Sequence, residues 1–132
     1  MRVVRGREGR PTEHRTQTFT GDVFADNVLL DEGLMVNSVF FTPGARTYWH
    51  RHEIAQVLYV THGRGLLWSS DEGRGSILEP GDVAHIPAGE RHWHGGAPES
   101  FLLHLAISVG KTEWLEEVSD DDYQEAVDAV TA

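Results

Sequence analysis

The chain has 132 residues, 39% of them hydrophobic and 24% charged, and a mass of 14.7 kDa, the size of one domain around a single core. It has no cysteine, which excludes disulfide frameworks, thiolate metal sites and cysteine nucleophiles. A net charge of −10, with Lys111 as the one lysine, repels nucleic acid and anionic membranes, so neither is expected as a partner. The charge is uneven: residues 1–15 balance at +3, residues 16–110 at −6 and residues 111–132 at −7. No stretch approaches the roughly 18 apolar residues of a membrane span, and Met1–Arg7 has no apolar region behind its arginines. A soluble cytoplasmic protein is the expectation.

Residues 1–17 are polar, punctuated by Gly6, Gly9 and Pro11, and read as an N-terminal arm with room for a short edge strand. From Phe19 onward the signals are short β runs rich in Val, Ile, Phe, Tyr, Thr and Trp. They cover Phe19–Phe24, Leu34–Thr42, Arg46–His52, Gln56–Thr61 and Gly65–Ser69, then Gly75–Leu78, Asp82–Ile86, Arg91–His94 and Phe101–Val109. Turn chemistry separates them, as at Asp31-Glu32-Gly33, Pro43-Gly44, Pro80-Gly81 and Pro87-Ala88-Gly89. Many short strands at this spacing, with no βαβ alternation, predict an all-β sandwich or barrel without a parallel sheet. Only the end reads as helical. Glu113–Val118 predicts one turn, and Ser119 caps a helix over Asp120–Ala129 with three aspartates at the positive end of its dipole. Trp114, Leu115, Val118, Tyr123 and Val127 are placed on its inner side. The organisation is an arm at 1–17, a barrel at 18–110 and an acidic helical segment at 111–132 packed on the same domain.

Seven of the eight histidines lie between residues 50 and 104. His50 and His52 are one residue apart in a strand-like run, where positions i and i+2 project from the same face. Gln56 follows at the start of the next strand, and His92 sits beyond the Pro87-Ala88-Gly89 turn. Three neutral imidazoles and an amide oxygen suit a divalent first-row metal. Three further histidines have bland readings: His14 as solvated, His62 as a surface turn residue, His85 as structural.

The spacing resembles the cupin superfamily. Its first motif is Gly, five residues, His-x-His, three or four residues, Glu, six residues, Gly; Gly44, His50, His52 and Gly63 fall in register, with Gln56 where Glu is usual. Its second motif is Gly, five residues, Pro-x-Gly, two residues, His, three residues, Asn; Gly81, Pro87, Gly89 and His92 match, with Gly96 in place of Asn. The resemblance implies a double-stranded β-helix barrel of the cupin or jelly-roll type, with its site inside the mouth and a short C-terminal helix. The strings Gly44–His50, Gln56–Thr61, Gly89–Gly95 and His104–Ile107 are similar to a narrower group. It comprises the small bacterial cupins related to carboxymuconolactone-decarboxylase-associated cupins, among them the manganese-dependent cupin hydroxynitrile lyases.

That likeness implies that His50, His52, Gln56 and His92 bind a divalent metal, Mn(II) first and Fe(II) next. It places His94 in the same cavity as a general base and brings His104 in from a neighbouring strand as the second catalytic histidine, which with solvent is a candidate donor of the proton to the leaving cyanide. A non-ligand imidazole beside a Lewis acid suits base work, with an ordinary pKa near 6.5. Asn37, Val39 and Phe41 share parity and are expected along the pocket wall, with Ser108 adding a hydroxyl. Thr47 aligns with the same wall but has the opposite parity to His50, so only a bend or bulge at Gly44–Arg46 brings it inward. Trp49 and Trp93 alternate with the ligands and are expected to face a second layer or a subunit contact.

The implied activity is metal-dependent cleavage of a cyanohydrin to a carbonyl compound and cyanide, on a small-molecule substrate. Two alternatives stand beside it: an Fe(II)-dependent cupin dioxygenase, and a non-catalytic cupin that binds metal and a small ligand. Turnover without O₂ separates the first from the second, and replacement of His94 and His104 separates either from binding alone. A homodimer or higher homo-oligomer is expected, with the arm covering an exposed strand edge.

Overall fold

The β runs form a computed structural model in which residues 1–6 and 8–131 are described. In chain order the strands are β1 (Glu13–Arg15), β2 (Phe19–Thr20), β3 (Val23–Asp31), β4 (Leu34–Phe41), β5 (Arg46–Thr47), β6 (His50–His52) and β7 (Ala55–Gly63). They continue as β8 (Gly65–Ser69), β9 (Arg74–Leu78), β10 (Val83–Pro87), β11 (His92–Gly96), β12 (Leu102–Val109) and β13 (Thr112–Trp114), before helix α1 (Asp120–Thr131). One sheet has the order β1-β3-β4-β12-β7-β10; the other runs β13-β6-β11-β5-β2, with β8 on β11 and β9 on β8. All described ladders are antiparallel. The result is the all-β barrel with one C-terminal helix that the sequence predicts.

The alternation along each strand decides what the barrel holds. On β12, Leu102, His104, Ala106 and Ser108 are buried while the residues between them are half-exposed. Val39 and Phe41 on β4 and Leu58 and Val60 on β7 meet them, and with Val23, Ala25, Ile86 and Leu78 they make the core between the sheets. One end of this interior is apolar and the other carries the polar inward residues. A second cluster forms outside the β6-β11-β8 face, where Trp49, Trp93 and Leu66 pack against Val118, Tyr123 and Ala126. The two tryptophans therefore face a second layer, and the helix is that layer.

Buried polar bonds hold the helix in place. Arg46, 5% exposed, donates from Nε and Nη2 to the Val118 carbonyl at 3.2 and 2.9 Å, and from Nη2 to Asp120 at 2.8 Å. Its guanidinium lies 4.7 Å from the Tyr123 ring centroid. Tyr123 in turn donates its hydroxyl to the Gly96 carbonyl at 2.7 Å, with a pKa that burial pushes up to about 12. Ser119 caps α1 as predicted, its hydroxyl accepting the Asp122 N–H at 3.0 Å. Gly96 also acquires a reason: a Cβ there would stand 2.7 Å from the Thr42 carbonyl oxygen, so asparagine has no room.

Four expectations need correction. The run Phe19–Phe24 is two strands in different sheets, because the chain crosses over at Gly21, whose φ of 80° brings its backbone against Ala45. The polar stretch after Phe24 continues as strand to Asp31, its register shifted between Asn27 and Leu29. The run Arg46–His52 breaks at Tyr48–Trp49 rather than bending at Gly44–Arg46, and that break resets the parity. Both Thr47 and His50 are consequently buried, each 1% exposed. Glu113–Val118 makes no helical turn: β13 pairs with β6, and extended pairing goes on as Leu115 N–H donates to Trp49 O at 2.8 Å and Trp49 N–H to Glu116 O at 2.9 Å. Trp114 thus lies on β13 and not on the helix face.

The arm contributes β1, which pairs with β3 of its own sheet rather than waiting for another subunit. At the other end of the barrel Gly63 closes the β7–β8 turn with φ 80°, and a Cβ would fall 2.0 Å from the Phe101 carbonyl oxygen. Gly63→Ala must both hold an alanine at positive φ and push that backbone aside, so it is expected to cost roughly 3 kcal/mol or more in urea unfolding.

Candidate metal centre

His50 and His52 project inward from β6, His92 from β11 and Gln56 from β7, three elements that meet at the open end of the barrel. Strand β11 holds His92 against His50 in register, which brings those two rings to 4.2 Å between centroids. The ligand-capable nitrogens of His50, His52 and His92 all lie within 4.8 Å of one another. Backbone carbonyls orient two of the rings: His50 Nδ1 is 2.9 Å from Tyr48 O, and His92 Nδ1 is 2.9 Å from Glu90 O. With Nδ1–H donating, each ring keeps an Nε2 lone pair for the centre. His52 Nδ1 is 3.0 Å from the Thr112 hydroxyl, and its buried Nε2 has no partner among the described residues. Gln56 places Oε1 3.0 Å from His92 Nε2 and donates Nε2–H to Ser108 at 3.1 Å.

Three oriented imidazoles and an amide oxygen, one of them with an unsatisfied buried nitrogen, fit a divalent cation. Their protonation agrees. Burial, followed by the neighbouring His92, holds His50 well below the ordinary histidine range. Burial also lowers His52 and takes His92 down to about 4. The rings are neutral at physiological pH, the form that coordinates.

Behind the cluster stands a second pair. His94, next but one along β11, and His104 on β12 are buried, 3% and 0% exposed, with His104 Nε2 3.0 Å from His94 Nδ1. Burial and then the adjacent His104 hold His94 well below its usual value, and burial takes His104 to about 4. Phe41 packs its ring 5.3 Å from His104 and 5.8 Å from His94.

A cavity of about 150 Å³ opens on this cluster, lined among others by His50, His52, Gln56 and His94. Asn37, Val39, Phe41, Thr47 and Ser108 line it too. His92 sits beneath the floor with no exposed surface, and His104 reaches the cavity only through His94. Arg15, Phe19, Met35, Thr112 and Trp114 also line it, and sequence reasoning missed all of them as site residues. Trp114 lies over His50 at 4.6 Å between ring centroids. Sheet pairing, not local spacing, carries them there; the one available signal was the arm's potential for an edge strand. His62 and His85 are exposed, outside the cluster. A separate depression of about 220 Å³, lined among others by Arg74, His85 and Glu90, shares no lining residue with this cavity.

Five depressed histidines make a pH prediction with a definite sign. Above about pH 6.5 the folded and unfolded chains both hold them neutral. Below that the unfolded chain takes up protons that the buried rings refuse, so stability falls with falling pH. His92 and His104, moved from 6.5 to about 4, cost about 3 kcal/mol each once pH is below both values. The metal-free chain is expected to unfold between about pH 6 and pH 4, with saturating divalent metal moving the midpoint lower. Circular dichroism against pH checks both.

A two-sheet antiparallel barrel with an inward His-x-His, a glutamine and a third histidine from a later strand defines a cupin. The chain belongs to that family: the cupin domain matches residues 37–105. It is 45% identical over 115 residues to an (R)-mandelonitrile lyase of Granulicella tundricola, covering 80% of this chain and 86% of that one. A cupin-like protein of Thermotoga maritima superposes with a TM-score of 0.80 at 39% identity, covering 85% of this chain and 90% of the other. The polyketide cyclase RemF of Streptomyces resistomycificus shares the fold at a TM-score of 0.72 and 22% identity, over 94% and 92% of the two chains. No described helix is long and apolar enough to cross a membrane.

Proposed function

We propose that this chain is a metal-dependent lyase that cleaves a cyanohydrin to a carbonyl compound and cyanide. The observation that carries the reading is a three-imidazole cluster within 4.8 Å, two of whose rings, His50 and His52, line one cavity with a separate buried imidazole, His94, whose Nε2 has no partner among the described residues. Likeness to the mandelonitrile lyase supports the substrate class. His50, His52, His92 and the Gln56 amide hold the ion, Mn(II) in preference to Fe(II). When bound, a divalent ion held by neutral ligands supplies a Lewis acid that lowers the pKa of the substrate hydroxyl.

The remaining steps belong to the chain's own residues. With His94 Nδ1–H donating to His104 Nε2, the His94 Nε2 keeps its lone pair and takes the hydroxyl proton. As the carbon–carbon bond breaks, its electron pair leaves with cyanide, and the proton on His94 passes to that anion, so hydrogen cyanide and the carbonyl compound balance the substrate. The environment that keeps His94 neutral also makes its protonated form a ready donor. His104 acts through His94 and is a positioning residue. Val39 and Phe41 hold the apolar substituent.

The test is anaerobic release of benzaldehyde from mandelonitrile by Mn(II)-loaded protein. Release above the metal-only blank is expected; none above the blank overturns the lyase reading. A requirement for O₂ would point to oxygenation instead. We further propose a homodimer through the outer face of the β1-to-β10 sheet, where Tyr59 and Val83 are exposed, 45% and 66%, and adjacent in register. Light scattering that returns a monomer mass overturns it.

A further inference from the structure

The cavity has a cation at its mouth with no settled partner. Arg15 on β1 pairs across to Val23, and Val23 to Phe41. Cross-strand neighbours share a face, and Val23 and Phe41 are both wholly buried, so Arg15 points to the barrel interior. There it lines the same cavity as the imidazoles. Its Nε is buried and has no hydrogen-bond partner among the described residues. Its ion pair is to Glu13, stretched to 3.8 Å, with a carboxylate that is itself 59% exposed; a pair so loose and so wet contributes little.

The other rim groups point the same way. Asn37 accepts a hydrogen bond at Oδ1 from Asn27 Nδ2 at 2.9 Å, which leaves its own Nδ2–H₂ as a donor in a residue that lines the cavity. Among the described residues no aspartate or glutamate lines the cavity, so no carboxylate among them competes inside for the guanidinium. An arginine half-sunk in a pocket wall, short of an acceptor and beside a second donor, matches the planar two-oxygen geometry of a carboxylate.

We infer that the cavity also takes a small hydroxy-carboxylate as a ligand, whose carboxylate the Arg15 guanidinium holds at the mouth. This rests on the reading that the cavity is the substrate site, and it adds an anionic hydroxy acid to the neutral cyanohydrin as a ligand class of the same cavity. Arg15 is then the residue that sets the preference for the anionic ligand.

The test compares binding of mandelate with neutral mandelamide, which differ in charge while sharing the hydroxyl and ring. Calorimetry or intrinsic tryptophan fluorescence reads both, on metal-free and Mn(II)-loaded full chain. Mandelate is expected to bind about tenfold tighter or more in both forms. Arg15→Gln should erase that preference while mandelamide affinity and metal content stay put, and Arg15→Lys should keep part of it. Absence of preference in the native chain overturns the inference, as does a preference that survives Arg15→Gln, since the metal or the imidazoles would then hold the carboxylate. Failure of the lyase reading shows separately, as no aldehyde from mandelonitrile, and leaves these binding constants intact.

Discussion

His94→Ala is expected to lower kcat for aldehyde release by about 10²–10⁴-fold, the usual worth of a positioned general base, while the bound metal stays. The physical reason is the separation of the two clusters. His94 shares β11 with His92, but its Nδ1 is taken by His104 at 3.0 Å and its Nε2 is free of any partner among the described residues. Nothing that orients His50, His52 or His92 passes through it, since their Nδ1 atoms rest on Tyr48, Thr112 and Glu90. KM should move little. His104→Gln serves as the comparison: it should reduce kcat less and shift the pH dependence of kcat, because His104 sets the position and tautomer of His94 rather than touching substrate. Loss of metal from His94→Ala, shown by metal analysis after dialysis, would overturn this division of labour.

The second large effect is expected at His92. The ring has no exposed surface, sits 4.2 Å from His50 between centroids, and has its Nε2 3.0 Å from Gln56 Oε1. His92→Ala removes a ligand and leaves Gln56 Oε1 without that contact. Metal affinity should fall at least a hundredfold, beyond the roughly 10–100-fold that loss of an outer hydrogen bond costs a metal site. Aldehyde release should disappear with it. The same variant should soften acid unfolding of the metal-free chain, because one buried imidazole that resists protonation is gone. Calorimetric titration with Mn(II) and circular dichroism against pH check the two arms independently. Unchanged Mn(II) affinity would remove His92 from the ligand set.

These outcomes turn on residues whose strand faces were legible for local reasons, while their convergence was implied by the cupin resemblance. His50 and His52 share a face because a strand has a period of 2, and a run of alternating residues announces that period in any sequence. His92 and His94 obey it on β11, as do Asn37, Val39 and Phe41 on β4. The turn residues were equally legible, since glycine and proline have their own backbone limits. What local period could not give is how separate runs register against one another. Thr47 came inward only because β5 and β6 are split at Tyr48–Trp49, a break made when Trp49 pairs with Leu115 and Glu116, more than sixty residues away. Those two bonds also turned the expected helical turn at Glu113–Val118 into an extended segment.

By itself the sequence determined an all-β chain, the strand faces that carry its histidines, the turns between them and the capped acidic helix. Each of these is a matter of neighbours within a few residues. Tertiary structure alone decided that Arg15 of a polar arm enters the cavity wall, that Trp114 covers His50, that His104 reaches the cavity only through His94, and that Gly96 must lack a side chain. All four depend on which strands lie side by side. Antiparallel pairing between distant segments is selected by burial of the whole inner face, a sum over both sheets that no single run of residues contains.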